Sequence, residues 1–496
     1  MPGPLGVAGP ARRGQGRAVQ NAYDVASIRE AEAALMARLP SGALMQRAAT
    51  GLALAAVRML RDPPGRVVGG RVLLAVGAGN NGGDALFAGA LLTARGVRVD
   101  AVLLAPDHAH SGGLQALRRA GGRAVTHDGP GVSALVARAD LALDGIVGIG
   151  GQGGLRPAAA ALMSELADAG VAVLAVDLPS GVDADTGTVT EPYVHASRTV
   201  TFGALKPAHC IDPGAAACGE VELVDIGLTP YLPEDPALQL VGPADVAQMP
   251  TPDGESQKYS RGVLGVRAGS AGYPGAAVLC TAGALAGPIG MVRFVGPDDV
   301  ARSVVDRFPE VVPGDGRVQA WAIGPGLGAD RGAEVDRVLA DGVPVLIDAD
   351  GLAALGDRVP DGAVVLATPH AGELARMLGV DRAAVESRRL EHATRAALQT
   401  GATVLLKGNT TVVAAPDGRV RVSDSGTPYL ATAGAGDVLS GFAGSLLAAG
   451  LDPLTAGSLG AWLHGMAARR AVGTPARQIV AADVADELPA AVAAFR

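Results

Sequence analysis

The chain has 496 residues, of which 49% are hydrophobic and 18% are charged, and its formal net charge is -8. This length exceeds one ordinary hydrophobic core and predicts about two soluble domains. The acidic balance and the lack of Lys/Arg blocks argue against nucleic acid or an anionic membrane as partners, and no apolar run is long enough to span a bilayer.

Residues 1–22 hold Pro, Gly and scattered Arg without the apolar segment of a signal peptide, so we expect a flexible tail. The three cysteines, Cys210, Cys218 and Cys280, form no CxxC motif. We expect buried, reduced thiols and a cytoplasmic location.

The first half of the chain predicts a βαβ unit with a glycine-rich turn after its first strand. Apolar spacing in Tyr23–Leu60 predicts two helices split near Pro40–Gly42. The unit itself consists of a strand at Arg71–Val76, the turn GAGNNGGD at Gly77–Asp84, a helix at Ala85–Ala94 and a strand at Val97–Leu104.

The turn allows two interpretations. Gly77, Gly79 and Gly82 match GxGxxG, and Asp100 follows at the distance that a dinucleotide-binding dehydrogenase uses for ribose. However, Asn80 and Asn81 add amide oxygens beside Asp84, which also suit a hard cation or ribose hydroxyls.

Further polar residues follow predicted strands. Asp144 follows Leu141–Leu143, Asp177 and Ser180 follow Val171–Val176, and Lys206 follows Thr199–Phe202. Ligands gather at the carboxyl ends of parallel strands, so we expect one crevice there, although each aspartate alone could be a helix cap. Lys206 could transfer a proton, hold phosphate or lie solvated at the surface.

The segments NNGGD (80–84), DLPSG (177–181) and TFGALKP (201–207) resemble the NAD(P)H-hydrate epimerase family. The resemblance implies a Rossmann-like three-layer αβα domain, with Asp177 and Lys206 as proton-transfer candidates. It implies a potassium site formed by Asn81, Asp144 and Ser180. It implies contacts to the hydrated nucleotide from Asn80, Asn81, Gly82, Gly83, Asp84, Gly148, Ile149, Gly150, Gly151, Gln152, Gly153, Gly154 and Asp177.

Two positions depart from the family pattern. The family usually has glycine after NNGGD, where this chain has Ala85. It usually has a DAxxGTG-like loop, where this chain reads DGIVGIG from Asp144.

A proline-rich, acidic stretch at Leu228–Pro252 predicts the domain boundary. We expect domains at 23–235 and 253–496, joined by a linker at 236–252. The second half again alternates strands and helices. Its predicted strands are Gly262–Ala268, Met291–Val295, Ala320–Ile323, Val343–Ile347, Ala363–Ala367, Thr403–Leu406 and Thr411–Ala414, with helices from Ala276, at Ala329–Ala340 and at Arg382–Gln399.

The strongest signal in this half is ATAGAGDVLSG at Ala431–Gly441. Gly434–Gly436 predict a turn that opens a buried helix, whose free N–H groups can bind phosphate oxygens. Asp437 is placed to take a proton from a hydroxyl beside that anion site. Alternatively, Asp437 is only a helix cap.

Together with GSAGYPGAA, GPGLG, DADGL, TPHAGE and LLKGNTT, this motif resembles the ribokinase-like superfamily, and within it the ADP-dependent NAD(P)H-hydrate dehydratases. The resemblance implies a ribokinase-like α/β domain with Asp437 as catalytic base. It implies substrate contacts from Ala276, Ala277, Gly326, His370 and Asp437, and adenine-nucleotide contacts from Lys407, Gly408, Asn409, Thr410, Thr411 and Gly436.

Both resemblances imply one substrate, hydrated NADH or NADPH, which the first domain would epimerise and the second would dehydrate with ADP, Mg²⁺ and K⁺. We expect small-molecule substrates and a homo-oligomer. Two alternatives remain: the second domain could be a small-molecule kinase, and the first a non-catalytic nucleotide-binding module.

Overall fold

The computed structural model describes residues 20–62, 65–151, 153–328, 331–355 and 359–496. Its first half alternates strands and helices as predicted. The elements are β1 Gln20–Ala22, α1 Val25–Met36, α2 Ala43–Arg61, β2 Arg71–Val76, α3 Gly79–Thr93, β3 Arg98–Leu103, α4 Ser111–Arg119, β4 Arg123–Thr126, α5 Val132–Val136, β5 Leu141–Gly145, α6 Pro157–Asp168, β6 Val173–Val176, β7 Arg198–Phe202, α7 Gly214–Cys218 and β8 Glu220–Val224.

The second half continues with a larger set of elements of the same kind. They are β9 Leu238–Leu240, β10 Val263–Arg267, α8 Pro274–Leu285, β11 Met291–Phe294, α9 Asp298–Arg307, β12 Val312–Pro313, β13 Ala320–Ile323, α10 Arg331–Ala340, β14 Val345–Ile347, β15 Val365–Ala367, α11 Ala371–Leu378, α12 Arg382–Ser387, α13 Arg389–Thr400, β16 Thr403–Leu406, β17 Thr411–Ala414, β18 Val420–Ser423, α14 Ala435–Ala448, α15 Pro453–Val472 and α16 Ala481–Ala493.

The first domain is a parallel sheet of seven strands in the order β4-β3-β2-β5-β6-β7-β8. Its strands are buried on both faces: Leu74 of β2 packs in one apolar cluster with α1–α4, whereas Leu73 packs in another with α5 and α6. Burial on both sides explains why β2 reads as a continuous apolar run. The predicted three-layer αβα architecture is confirmed.

The second domain has a sheet of eleven strands in the order β1-β9-β18-β17-β16-β15-β14-β13-β10-β11-β12. In the order of the sheet, all strands from β12 at one edge through β11, β10, β13, β14 and β15 to β16 are parallel. Strand β17 pairs antiparallel with both β16 and β18. Helices α8, α14, α15 and α16 share one apolar cluster on one face, and α10 packs on the other. The α/β prediction for this half is also confirmed.

Both sheets contain a point where the strand order reverses. In the first it lies between β2 and β5, and in the second between β10 and β13. At such a point the loops leave in opposite directions, so a crevice opens at the carboxyl ends of the two strands. The two predicted sites lie at these crevices.

The structure differs from the predicted elements in three places. Gln20–Ala22, part of the predicted tail, form β1, which pairs antiparallel with β9 in the predicted linker, so both segments belong to the second sheet. Helix α3 begins at Gly79 rather than Ala85, and the predicted helix at 382–399 is broken at Arg388, whose φ of -134° is not helical. The predicted start of a helix at Ala329 lies outside the described residues.

The three cysteines are buried, as expected. Within the described ranges, no helix combines the length and the apolar character needed to cross a bilayer.

Two candidate active-site crevices

The first crevice is a cavity of about 830 Å³ at the switch point of the seven-stranded sheet. Helix α1 closes it from above with Arg29 and Glu32. Most of the residues predicted to contact the nucleotide line it: Asn80, Asn81, Asp84, residues 148–151, Gly153, Gly154 and Asp177. A cavity of this size suits a small molecule or a nucleotide.

Two predicted contact residues serve packing instead. Gly82 and Gly83 are buried and do not line the cavity. A Cβ on Gly82 would lie 2.5 Å from the carbonyl oxygen of Gly77, and one on Gly83 would lie 3.0 Å from the ring of His110. Gly82 lets the first turn of α3 approach the end of β2, and Gly83 lets it approach His110 at the start of α4. Gln152 lies outside the described residues.

Asp177 and Lys206 form a buried ion pair at the inner wall. Lys206 Nζ lies 2.5 Å from Asp177 Oδ1 and 2.8 Å from Thr201 Oγ1, and the Thr201 hydroxyl also donates to Asp177. Although burial opposes ionisation, the lysine and these hydrogen bonds hold the pKa of Asp177 below its usual value. Asp177 has a φ of 67°, so the backbone at this carboxylate is strained.

Two further acids, Asp84 and Glu32, face the same cavity, and their pKa values are shifted in the opposite direction to that of Asp177. Burial raises the pKa of Asp84 well above its usual value, and the charges of Asp177 and Glu32 add to the effect. Burial also raises the pKa of Glu32, opposed by Lys206 and Arg29. Asp84 Oδ1 is buried without a hydrogen-bond partner. The crevice therefore combines one carboxylate whose pKa is lowered with two carboxyls whose pKa values are raised.

The predicted potassium ligands lie beside this cavity. Asp144 is fully buried and accepts hydrogen bonds from the backbone and hydroxyl of Ser180, at 2.8 and 2.7 Å. Burial raises the pKa of Asp144 to about 6. Asn81 stands against Gly148, where a Cβ would lie 3.0 Å from its Oδ1, and its Nδ2 is buried without a partner.

This donor set fits a monovalent hard cation. It offers amide, hydroxyl and carboxylate oxygens but only one acid, and the described residues contain no cluster of three or more His, Cys, Asp or Glu side chains suited to a metal ion.

The two departures from the epimerase pattern meet in space. A Cβ on Gly145 would lie 2.6 Å from the Cβ of Ala85. Alanine at position 85 therefore requires glycine at position 145, and the reverse pair would fill the same space. Ala85 and Gly145 therefore fit each other, whereas this contact does not account for Ile149, which stands where the family pattern has threonine.

Asp100, the residue that favoured a dehydrogenase, lies away from the cavity. Its carboxylate pairs with Arg123 at 2.9 Å and Arg138 at 3.7 Å on the outer strands. It is not among the lining residues. Asp100, the carboxylate that the GxGxxG interpretation requires, therefore does not face the ligand space.

The second crevice lies at the N-terminus of α14. Gly434 caps this helix in the left-handed conformation, with a φ of 86°, and places the N–H groups of Gly436 and Asp437 at the helix start, whereas the N–H of Ala435 donates to the carbonyl of Thr432 at 3.4 Å. Burial, reinforced by the charge of Asp348, raises the pKa of Asp437 to about 7. Asp437 is half-buried and its side chain does not cap the helix, which removes the alternative reading of a simple N-cap.

A buried network stands behind this helix start. Lys407 Nζ donates to Asp348 Oδ1 at 2.7 Å, and the Ser440 hydroxyl donates to Asp348 Oδ2 at 2.7 Å. A Cβ on Gly436 would lie 3.4 Å from Lys407 Nζ, so glycine leaves the ammonium accessible at the helix end. Ala349, next to Asp348, has a φ of 47°, a second strained non-glycine residue at a candidate site.

Helix α8 holds α14 in position through close backbone contact. A Cβ on Gly441 would lie 1.8 Å from the carbonyl oxygen of Cys280, and one on Gly283 would lie 2.0 Å from that of Val438. Only glycine allows this approach, so it fixes the helix that carries Asp437.

The predicted substrate contacts are brought to the same side. Gly326, with a φ of 64°, faces Ala276, since a Cβ there would lie 3.0 Å from the Ala276 Cβ. Ala277 is fully buried behind it. His370 is the N-cap of α11, where its Nδ1 accepts from the backbone N–H groups of Gly372 and Glu373, so a neutral ring carries its proton on Nε2.

The predicted nucleotide loop, residues 407–411, turns between β16 and β17. Arg389 lies behind it and donates from Nη2 to the carbonyls of Leu406, Lys407 and Thr410, at 3.2, 2.9 and 3.3 Å. Gly408 and Asn409 are exposed on the opposite side. The loop is therefore fixed from within and free to meet a ligand outside.

Sequence reasoning missed Glu32, Asp348 and Arg389 as site residues. Asp348 opens the DADGL motif after a predicted strand, so the strand-end rule could have selected it. Glu32 and Arg389 lie inside helices, where a charged residue normally faces solvent, and no local signal marks them.

The two crevices define a chain of two nucleotide-binding α/β domains, the second of them ribokinase-like. A family model described as NAD(P)H-hydrate dehydratase matches residues 264–490, and one described as YjeF-related protein N-terminus matches residues 41–208. The ADP/ATP-dependent NAD(P)H-hydrate dehydratase of Bacillus subtilis, co-crystallised with ATP/Mg²⁺, shares 32% identity over 51% of this chain and 96% of its own, with a TM-score of 0.48.

Relatives match both domains at once. The bifunctional NAD(P)H-hydrate repair enzyme Nnr of Mycobacterium leprae is 47% identical over 465 residues, which cover 91% of this chain and 94% of that protein. The enzyme of the same description from Mycobacterium tuberculosis is 48% identical over 86% of this chain and 89% of its own length. The chain belongs to the family of bifunctional NAD(P)H-hydrate repair enzymes.

Proposed function

We propose that the second crevice dehydrates the S form of hydrated NADH or NADPH and converts ADP to AMP and phosphate. The observation that carries this proposal is the placement of Asp437 at the free N-terminus of α14, beside the Lys407–Asp348 pair. A base and an anion site then lie together, as transfer of a phosphoryl group to a hydroxyl requires.

The steps follow from that placement. Asp437 removes the proton from the substrate hydroxyl, whose oxygen attacks the β-phosphorus of ADP, and AMP leaves. The N–H groups of Gly436 and Asp437 and the Lys407 ammonium stabilise the charge on the transferred group. The phosphorylated oxygen departs as phosphate when the ring nitrogen donates its lone pair, and loss of a proton from the adjacent carbon restores the ring double bond.

We propose that Lys407, residues 408–411 and Gly436 hold the adenine nucleotide, and that Ala276, Gly326 and His370 contact the hydrated ring, whereas Ala277, which is fully buried, supports Ala276 from behind. Mg²⁺ is expected to enter with the nucleotide, held chiefly by phosphate oxygens, whose charge it neutralises.

For the first crevice we propose epimerisation of the same substrate at its hydrated carbon. That carbon bears both a hydroxyl and the ring nitrogen. When an acid protonates the hydroxyl, the nitrogen lone pair expels water, and water returns to either face of the iminium. Asp84 and Glu32, whose pKa values burial raises, are the proposed proton donors, and the carboxylate of Asp177, held by Lys206, stabilises the cation. Potassium bound by Asn81, Asp144 and Ser180 would offset the buried charge of Asp144.

Residues 23–235 and 253–496 are proposed as the two catalytic units, connected through the segment at 236–252. The buried thiols of Cys218 and Cys280 support a reducing, cytoplasmic setting.

One experiment tests both activities. A mixture of R and S hydrates is incubated with the enzyme, with and without ADP, and followed by chromatography and nucleotide analysis. We expect equilibration of the epimers without ADP, and complete recovery of NADH with formation of AMP and phosphate when ADP is present. A stable phosphorylated product would identify the second domain as a kinase instead. Epimers that equilibrate no faster than without enzyme would identify the first domain as a binding module.

A further inference from the structure

The first domain makes a polar contact with the nucleotide loop of the second. Asp212, in the segment between β7 and α7, donates from its backbone N–H to Thr410 Oγ1 at 2.9 Å. Its carboxylate accepts from the backbone N–H of Thr410 at 3.3 Å and from the Asn409 side-chain amide at 3.4 Å. Three hydrogen bonds therefore join one residue of the first domain to the proposed adenine-nucleotide loop.

The residues next to Asp212 are packed against the second domain. Cys210 and Ile211, directly before Asp212, are buried in an apolar cluster that also contains Leu374 and Ala393 of the second domain. Beside it, the backbone N–H of Tyr23 donates to the carbonyl of Leu205 at 2.9 Å, directly after β1 pairs with β9. The segment that carries Asp212 thus shares an apolar cluster with α11 and α13, and the chain just before it is bonded to Tyr23 beside β1.

Asp212 and Arg389 hold the loop from its two ends. Arg389 donates to the carbonyls of Leu406, Lys407 and Thr410. Asp212 accepts from the backbone N–H of Thr410 with its carboxylate and donates from its own backbone N–H to the Thr410 hydroxyl oxygen. Burial lowers the pKa of Arg389, and the nearby charge of Asp212 opposes that effect. The acceptors and donors on the inner side of the loop are occupied, so its outer side is presented in one conformation.

We propose that Asp212 is a positioning residue for the nucleotide site, so that the first domain completes the ADP site of the second. The inference rests on the proposed function of residues 407–411. It assigns to the junction between the domains a part in the ADP-dependent reaction itself. The reacting groups, Asp437 and Lys407, make no contact with Asp212 among the hydrogen bonds of the described residues.

Because Asp212 acts on the loop and not on the reacting atoms, its loss should weaken ADP binding and leave the chemical step at saturating ADP nearly unchanged. Loss of a hydrogen bond to a carboxylate corresponds to roughly a tenfold weaker affinity. The variant Asp212→Asn keeps one side-chain oxygen for the N–H of Thr410, so it should retain part of that affinity. Asp212→Ala keeps only the backbone contact.

The test is calorimetric titration of the full chain with ADP, alongside steady-state kinetics with the S hydrate. We expect Asp212→Ala to raise both the dissociation constant and the KM for ADP about tenfold, with kcat within about twofold of wild type. The values for Asp212→Asn should lie between those of wild type and Asp212→Ala. Epimerase activity, measured on the same samples, should stay at the wild-type level and shows that the first domain is folded. The matched control is Asp225→Ala, an exposed residue of the same domain that accepts only from the backbone of Gly227.

The outcomes separate this inference from the proposed function. If wild type does not bind ADP, the proposed nucleotide site itself is wrong. If wild type binds ADP and Asp212→Ala binds it equally well, or loses kcat rather than affinity, the positioning role is overturned.

Discussion

Lys407 Nζ lies 2.7 Å from Asp348 Oδ1, and this pair stands directly behind the N-terminus of the helix that carries Asp437. The Lys407 ammonium therefore lies next to the proposed anion site, and its ion pair with Asp348 holds it in position. Burial, and after it the negative charge of Asp348, raise the pKa of Asp437, whereas the charge of Lys407 opposes them. Asp348 thus acts on both the phosphate-binding lysine and the base.

Asp437→Asn should abolish the ADP-dependent reaction. Asparagine has nearly the same shape but cannot accept a proton, so we expect kcat to fall by at least about 10²-fold. The measurement is recovery of NADH absorbance from the S hydrate with ADP. Calorimetric binding of ADP and epimerase activity should persist, and a fully active variant would remove Asp437 from the mechanism.

The pH dependence of the same reaction reports on Asp437. The base must be ionised, and its pKa is raised to about 7, so kcat/KM for the S hydrate should be level above pH 7 and fall tenfold per unit below it. The sign is set by the raised pKa: an ordinary aspartate would keep the rate level down to about pH 4.

Asp348→Asn should move this acid limb to lower pH, because it removes the negative charge that helps to raise the pKa of Asp437. The pKa that this limb reports should remain above the ordinary value of an aspartate, since burial is the larger cause of the raised pKa of Asp437. Asp341→Asn, whose carboxylate accepts from the Trp321 indole away from the site, is the control. A limb that does not move in Asp348→Asn would show that Asp348 does not act on the base.

The sequence predicted those site residues whose position follows from a local pattern, and it missed those whose position depends on distant packing. Strand ends followed by Asp144, Asp177 and Lys407 are local patterns, and the parallel topology brings them together. Glu32 reaches its cavity only because α1 packs over the carboxyl ends of a sheet whose strands begin about forty residues later, at Arg71. No periodicity within α1 encodes that placement.

The same distinction explains the errors in the fold. Gln20–Ala22 lie next to a stretch rich in Pro and Gly and were expected to be flexible, but β9 supplies a pairing edge more than two hundred residues away. The helix predicted from Ala85 begins at Gly79, because the glycines of NNGGD allow its first turn to approach β2 and Gly77. In both cases tertiary contacts overrode the local preference.

Lys206→Met should destabilise the first domain by leaving Asp177 buried without its partner. Breaking a buried ion pair costs about 3–5 kcal/mol, whereas the double variant Asp177→Asn with Lys206→Met should cost clearly less than the sum of the two single changes. Hydrogen exchange at the amides of β6 and β7 measures the local free energy of unfolding. Arg419→Met, which breaks the exposed pair with Asp417, is the control and should change stability by less than about 1 kcal/mol.

Glu32→Gln should impair the epimerase alone. Glutamine keeps the size of the side chain but cannot protonate the leaving hydroxyl, so we expect about a 10²-fold slower conversion of the R hydrate. Chromatography of the R hydrate without ADP gives the rate. Glu30→Gln, an exposed position on the same helix, should be silent. Dehydration of the S hydrate should be unaffected in both, and an unchanged epimerase rate in Glu32→Gln would leave Asp84 as the sole acid.

The exchange between Ala85 and Gly145 makes the sharpest packing prediction. Gly145→Ala alone places a methyl group 2.6 Å from the Ala85 Cβ, inside the wall that holds Asp144 and Asp84. Overpacking of this kind costs about 1–3 kcal/mol and should slow the epimerase, because the strand end must move. Adding Ala85→Gly removes the opposing methyl and should restore most of both losses, although the carbonyl of Asn81, 3.2 Å from the new Cβ, still limits the fit. Thermal unfolding and epimerase rates of the two single variants and the double variant form the cycle. Strictly additive losses would show that the two positions are independent and that the departures from the family pattern do not compensate.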